Sequence, residues 1–161
     1  MTFLAGGGPV GFLRTAVVTL AIVSGVAAPA EAAWCTVAAS SVNFGNYNVF
    51  DAQPTDSTAT ITLNCGGNVR NVAIMISRGG GTLFYSYRFM NKFLELLFYN
   101  LYLDASRTVI WGDGSGGSEM EILSSMPNNR EVDLTVYGRI PAGQDVSAGS
   151  YSDTVTVTVQ Y

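Results

Sequence analysis

Between Thr58 and Cys65 the chain alternates strictly. Ala59, Ile61, Leu63 and Cys65 fall on one side, and Thr58, Thr60, Thr62 and Asn64 on the other. The same period recurs at Val132, Leu134 and Val136 against Asp133, Thr135 and Tyr137. It returns at Val155, Val157, Val159 and Tyr161 against Thr154, Thr156, Thr158 and Gln160. Successive side chains of a β-strand point to opposite faces, so each stretch predicts a half-buried strand, and the β-branched residues favour it. Cys35–Ala39 and Val69–Ser77 are weaker strand candidates. Breaks are supplied by Gly66-Gly67-Asn68, Gly79-Gly80-Gly81, Gly112-Asp113-Gly114 and Pro141-Ala142-Gly143. Several short strands with such punctuation predict an all-β sandwich. One segment supports two periods. Phe89, Phe93, Leu96 and Leu97 recur at helical spacing, whereas Leu97, Tyr99, Leu101 and Leu103 alternate as in a strand. A short helix or turn feeding a strand from about Leu96 accommodates both. Its apolar residues are read as core, with an exposed adhesive patch as the alternative.

The N-terminus follows a different pattern. Arg14 is the only charge before Glu31, and the apolar run from Thr15 to Val26 is too short to span a bilayer. Ala30-Glu31-Ala32 then fits a small-x-small cleavage site, which predicts a signal peptide over residues 1–32 and a mature domain over 33–161. A membrane anchor is the alternative. Gly6-Gly7-Gly8-Pro9 ahead of Arg14 is unusual in a leader and suggests a start codon further downstream. Export places the mature chain in an oxidising compartment, where its two cysteines most simply form one disulfide. Cys35 opens the first predicted strand and Cys65 closes the second, so antiparallel pairing would bring them together. A redox or metal-binding pair is the alternative, and it lacks a CxxC spacing or other soft ligands.

Composition narrows the chemistry. Charged residues make up 12% of the chain, about half the usual quarter, and the net charge is −4. The eight basic residues are scattered singly, which argues against a nucleic-acid surface. There is no histidine, which removes the commonest general base, the usual zinc nitrogen ligand and every Ser-His-Asp or Cys-His arrangement. Glu119 and Glu121 share a face if extended, but a carboxylate pair alone is weak evidence for acid-base work. Gly112 to Gly117 lacks the GK[ST] ending of a phosphate loop and the ligand spacing of an EF-hand, so it is read as a tight hairpin connection. No serine or threonine has an evident lysine base nearby in sequence. No catalytic, metal or cofactor site is expected.

The last predicted strand, Thr154–Tyr161, has strong β propensity and carries no charge, proline or glycine. Left unprotected, such a strand is a template for pairing with another chain. It is either an ordinary central strand or an edge built to receive a partner's strand.

Ala33-Trp34-Cys35-Thr36-Val37, Val42-Asn43-Phe44-Gly45-Asn46-Tyr47 and Thr60-Ile61-Thr62-Leu63-Asn64-Cys65 resemble the opening of spore coat protein U domains. The second half is closer still. Tyr99 to Gly117, Leu134 to Gly143 and Gly149 to Val159 follow in the family's order, so the likeness covers essentially the whole mature chain. These domains include secreted subunits of archaic chaperone–usher pili in Gram-negative bacteria and coat proteins of myxobacterial spores. The resemblance implies an immunoglobulin-like sandwich lacking its last strand. A periplasmic chaperone would supply that strand first, and a neighbouring subunit would replace it at the outer-membrane usher. It also implies the Cys35–Cys65 disulfide. The last strand would flank the groove, with the Tyr161 carboxylate near the chaperone's basic anchor. Val155, Val157 and Val159 are expected to line the groove, with Val132, Leu134 and Val136 as further candidates.

Shaft subunits of such pili carry a donor segment of a dozen or more residues before the first cysteine. Cleavage after Ala32 leaves only Ala33 and Trp34, about 7 Å of chain. The expectation is therefore a subunit that accepts a strand without donating one, at a terminal or tip position, in transit through the periplasm to the cell surface and with no membrane span in its mature chain. A self-folding spore or cell coat protein is one alternative, and a small secreted carbohydrate-binding module or hydrolase is the other.

Overall fold

The computed structural model describes residues 32–80 and 83–161. The expected signal peptide therefore lies outside the described residues, except for Ala32. Among the described residues, eight strands follow in order: β1 Trp34–Ala39, β2 Thr55–Gly66, β3 Arg70–Ile76, β4 Arg88–Lys92, β5 Glu95–Tyr102, β6 Glu121–Ser125, β7 Arg130–Ile140 and β8 Val157–Gln160. A 3-10 turn, Tyr85–Tyr87, precedes β4. The strands form two antiparallel sheets, one of five strands in the order β1-β2-β7-β5-β4 and one of three in the order β6-β3-β8. This is an immunoglobulin-like β-sandwich.

The strict alternation sets the register. In the β2–β7 ladder Ala59 faces Val136, Ile61 faces Leu134 and Leu63 faces Val132, so the apolar positions of both strands turn to the same side. Ala59, Ile61, Leu63, Cys65 and Val136 are buried there against Val72, Ile74 and Ile76 of β3. Cys35 is paired directly with Cys65 in the β1–β2 ladder, and the two form the disulfide.

One ambiguity is resolved and one expectation is corrected. Phe89–Leu103 contains no helix among the described residues, and the other option, a turn feeding a strand from about Leu96, is what forms. It is a β-hairpin whose two-residue turn, Phe93-Leu94, joins the paired Lys92 and Glu95. The helical spacing arose because apolar residues occupy both faces of the hairpin, which blurs the period of two. The glycine-rich run after Trp111 is not a hairpin between ladder partners. It carries the chain from β5 in one sheet to β6 in the other, and its neck closes where Gly112 N–H donates to Glu119 O at 2.7 Å. Glycine is required at that neck, because a Cβ on Gly112 would lie 2.1 Å from Ser118 Oγ.

Candidate functional site

The structure puts β8 at the outer edge of the three-stranded sheet, so it is not a central strand. On its inner side it pairs with β3, Val157 opposite Ile76 and Val159 opposite Ile74. The contact extends one step further. Ser77 N–H donates to Thr156 O at 2.9 Å, and Thr156 N–H donates to Ser77 Oγ at 2.9 Å. Backbone groups in an antiparallel strand alternate in direction. With Thr156 turned to β3, the N–H and C=O groups of Val157 and Val159 turn to the open side.

An apolar cavity of about 460 Å³ opens beside this edge, between the sheets. Its floor is Ala59, Ile61, Leu101 and Val136 of the larger sheet. Ile76, Val155 and Val157 form one wall, and the chain from Ala39 to Phe44 forms the other. A neighbouring cleft of about 700 Å³ shares Val42, Phe44, Met90 and Tyr151 with it and runs on beneath Val146–Ser150. The two clefts adjoin along these shared residues; the first is lined mainly by apolar side chains, and the second also by Asn43, Asn46, Asn48 and Ser147.

Of the residues assigned to a groove, Val155, Val157 and Val136 line this one. Val159 is half-buried and packs against the core, paired with Ile74. Val132 and Leu134 pack against the same core from β7. Leu134 also borders a separate depression of about 230 Å³ with Trp111, Glu121 and Asp133. Tyr161 lies past β8 and is 57% exposed. Val42, Phe44, Met90, Tyr99 and Tyr151 were not foreseen. Val42 and Phe44 do alternate, and Tyr151 is in phase with Val155, but single apolar residues in polar loops carry little signal.

Asp153 is the charged group in the lining of the first cavity. Its carboxylate accepts hydrogen bonds from Tyr99 OH at 2.8 Å and Gly80 N–H at 2.9 Å. Burial first, and then the bond to Asp153, push the Tyr99 hydroxyl far above its usual value, so it stays a neutral donor. At the far end, Glu95 Oε2 accepts from Ser147 Oγ at 2.6 Å and from Tyr151 OH, while Lys92 Nζ donates to Ser147 Oγ at 2.5 Å and Ala148 O at 2.8 Å. The bonds from Ser147 and Tyr151 hold the Glu95 carboxyl down at about 2. The cluster fastens the crossing segment Val146–Tyr151 to the β4–β5 turn.

The fold brings Lys92 to Ser147 across 55 residues, a proximity that sequence distance does not show. The arrangement is poorly suited to nucleophilic catalysis. The serine proton is directed at Glu95, a weak base at that pKa, and Lys92 is a donor in the contact. Among the described residues, no group of three or more Cys, Asp, Glu or His is placed to hold a metal ion. Glu119 is tied by its backbone to Ile110 and Gly112, while Glu121 borders the separate depression beside Asp133.

The model of the Spore Coat Protein U domain matches residues 21–158. The chain belongs to the spore coat protein U domain family. The match begins inside the segment expected to be removed on export. The domain is 34% identical over 107 residues to Protein U of Myxococcus xanthus, an alignment covering 65% of this chain and 53% of that protein. It thus spans about half the length of that relative. Among solved structures, it is similar to a chain in the CsuC-CsuE chaperone-tip adhesion subunit pre-assembly complex from the archaic chaperone-usher Csu pili of Acinetobacter baumannii. That likeness has a TM-score of 0.57 at 24% identity, and covers 81% of this chain and 40% of that one. It establishes the shared sandwich fold of this spore coat protein U domain.

Proposed function

We propose that this spore coat protein U domain is an exported, non-enzymatic structural or adhesive subunit of a chaperone–usher-type surface pilus. Its sandwich is completed by a strand from another chain. The observation that carries this reading is the open edge of β8 beside a mainly apolar cavity between the sheets. A donated strand would pair with the backbone groups of Val157 and Val159, and set alternate side chains into the space lined by Val157, Ile61 and Val136. A periplasmic chaperone would fill the groove first, and a neighbouring subunit would replace it at the usher. Family membership and a fold shared with a chaperone-bound subunit support this reading.

Trp34 is already committed to its own sheet, since it pairs with Gly66 and its indole covers that glycine. With cleavage after Ala32, no free segment remains that could fill a neighbour's groove, so the same reading makes this subunit an acceptor at an end of its assembly. A mature N-terminus ten or more residues before Cys35, found by N-terminal sequencing, overturns that placement.

The test is a periplasmic pull-down with mass spectrometry. The tag belongs at Gly116-Gly117, where added side-chain atoms meet nothing closer than 4.0 Å, rather than at Gly79, whose Cβ would strike Asp153 of the groove. One-to-one recovery with an immunoglobulin-like chaperone supports the pilus reading. A lone monomer that melts cooperatively favours a second reading, a self-folding coat protein, which the likeness to Protein U supports.

A further inference from the structure

The β4–β5 hairpin carries a second apolar surface on the side of its sheet that faces away from the groove. Phe89 pairs with Phe98 across the ladder, and their rings meet edge to face at 6.2 Å. Leu97 and Tyr99, the alternate positions, are buried inward, so Phe89, Leu96 and Phe98 turn outward. Leu96 and Phe98 remain 39% and 42% exposed, and the turn residues Phe93 and Leu94 are each 96% exposed. Phe93 also has φ +54°, a left-handed conformation that favours glycine or asparagine in a two-residue turn and strains a bulky aromatic. Neither turn residue contributes to the core of its own chain. A strained, solvent-facing phenylalanine followed by a bare leucine is costly to keep unless something covers them.

The character of the face selects the partner. It is a pleated β-surface, and such surfaces can pack on another pleated face about 10 Å away. Lys92 and Glu95, the flanking charges, neutralise each other at 3.5 Å and are held by Ser147 and Tyr151. A second copy would therefore meet no like charge. Phe93, Leu94, Leu96 and Phe98 at these exposures, with the half-buried Phe89, offer roughly 500 Å² per copy, and two copies together would bury roughly 1,000 Å², about the threshold for a specific interface. The five residues of β4 span roughly 16 Å, so under two-fold symmetry the Phe93-Leu94 tip of one hairpin lies over the Phe89–Phe98 pair of the other.

We propose that this outer hairpin face joins two copies of the chain about a two-fold axis near Asn91 and Leu96. The contact is lateral and independent of the groove. Sedimentation equilibrium on the purified exported chain, disulfide intact, tests it. The wild type is expected to form a reversible dimer, and Phe93→Gly to weaken it at least about tenfold. Because glycine accepts the turn's φ, that variant should melt no lower than wild type, which separates loss of the interface from loss of the fold. Leu94→Ser, which leaves Phe93 in place, should weaken the dimer in the same direction. A chain that stays monomeric at about 100 μM overturns the proposal, as does a dimer dissolved by Val157→Glu and untouched by Phe93→Gly, which would assign association to the groove. Monomers that bind phosphatidylcholine vesicles or polystyrene through Phe93 and Leu94 also overturn it, since the occupant would then be an apolar surface.

Discussion

Arg88 is the residue on which three strands depend. Its guanidinium is fully buried, donating through Nη1 to Asn100 Oδ1 at 2.7 Å, and through Nη2 to Trp111 O at 2.7 Å and Ser77 O at 2.9 Å. The Tyr85 ring lies 5.2 Å away. Burial pulls the pKa of this arginine down, yet a guanidinium remains charged, and the surrounding acceptors offset its desolvation. It thus ties the end of β3 to β4, β5 and the Trp111 bridge. Arg88→Met strands those acceptors and is expected to cost at least about 3 kcal/mol, read as a fall in the urea midpoint. Arg88→Lys should restore only part of that, because one ammonium cannot match the fork. Nothing in the sequence marks Arg88, since a lone arginine ordinarily reads as surface. Cys65 was legible because it continues the buried phase of β2. Replacing both Cys35 and Cys65 by serine should cost about 3–4 kcal/mol on the same measurement, from the loop of 30 residues that the disulfide closes.

At the scale of elements, strands with one polar and one apolar face could be read directly, which is why β2 and β7 stand where the alternation puts them. The last strand keeps its phase but is shorter than the expected Thr154–Tyr161, spanning only Val157–Gln160. The β4–β5 hairpin defeats that logic because it is apolar on both faces, one turned to the groove and one to solvent. The crossing segment Val146–Tyr151 was equally illegible. It is a polar loop placed by contacts across some fifty residues, to Glu95 and Lys92. Its fastening makes a pH prediction. The Glu95 carboxyl sits at about 2 when folded, against an ordinary value of 4.5. A depressed carboxyl contributes stability above its unfolded value, and that contribution is lost as pH falls through the folded one. Between about pH 4.5 and 2 the segment should therefore loosen, seen as faster amide hydrogen exchange at Ser147 and Tyr151 relative to the β2–β7 ladder. Glu95→Gln should exchange fast at all pH values and flatten the profile. A wild-type profile already flat across that window would sink the latch.

For the whole molecule, the proposed reading is that a partner's strand adds to the three-stranded sheet. The sequence reached the acceptor idea through family resemblance, and could not place its second wall. Val42 and Phe44 reach the groove from a loop, and Tyr151 from the crossing segment, because long-range folding brings them there. An edge strand with outward backbone groups and an apolar trough make a specific demand, for an extended chain that is apolar at every second residue. A synthetic twelve-residue peptide of that pattern should bind and stabilise the folded domain by mass action. At about one hundred times its dissociation constant the gain is about 2.7 kcal/mol, a rise of roughly 10 °C in melting temperature for a domain of this size. Two controls separate strand addition from mere greasiness. N-methylation at alternate residues removes the ladder donors while keeping the side chains, so it should abolish the rise if the backbone of β8 is the anchor. Val157→Glu places a carboxylate in the groove wall and should abolish it too, leaving the strands of the larger sheet intact. A methylated peptide that stabilises as well as its parent would show that the trough binds apolar chains without adding a strand, and the pairing role of β8 would have to be given up.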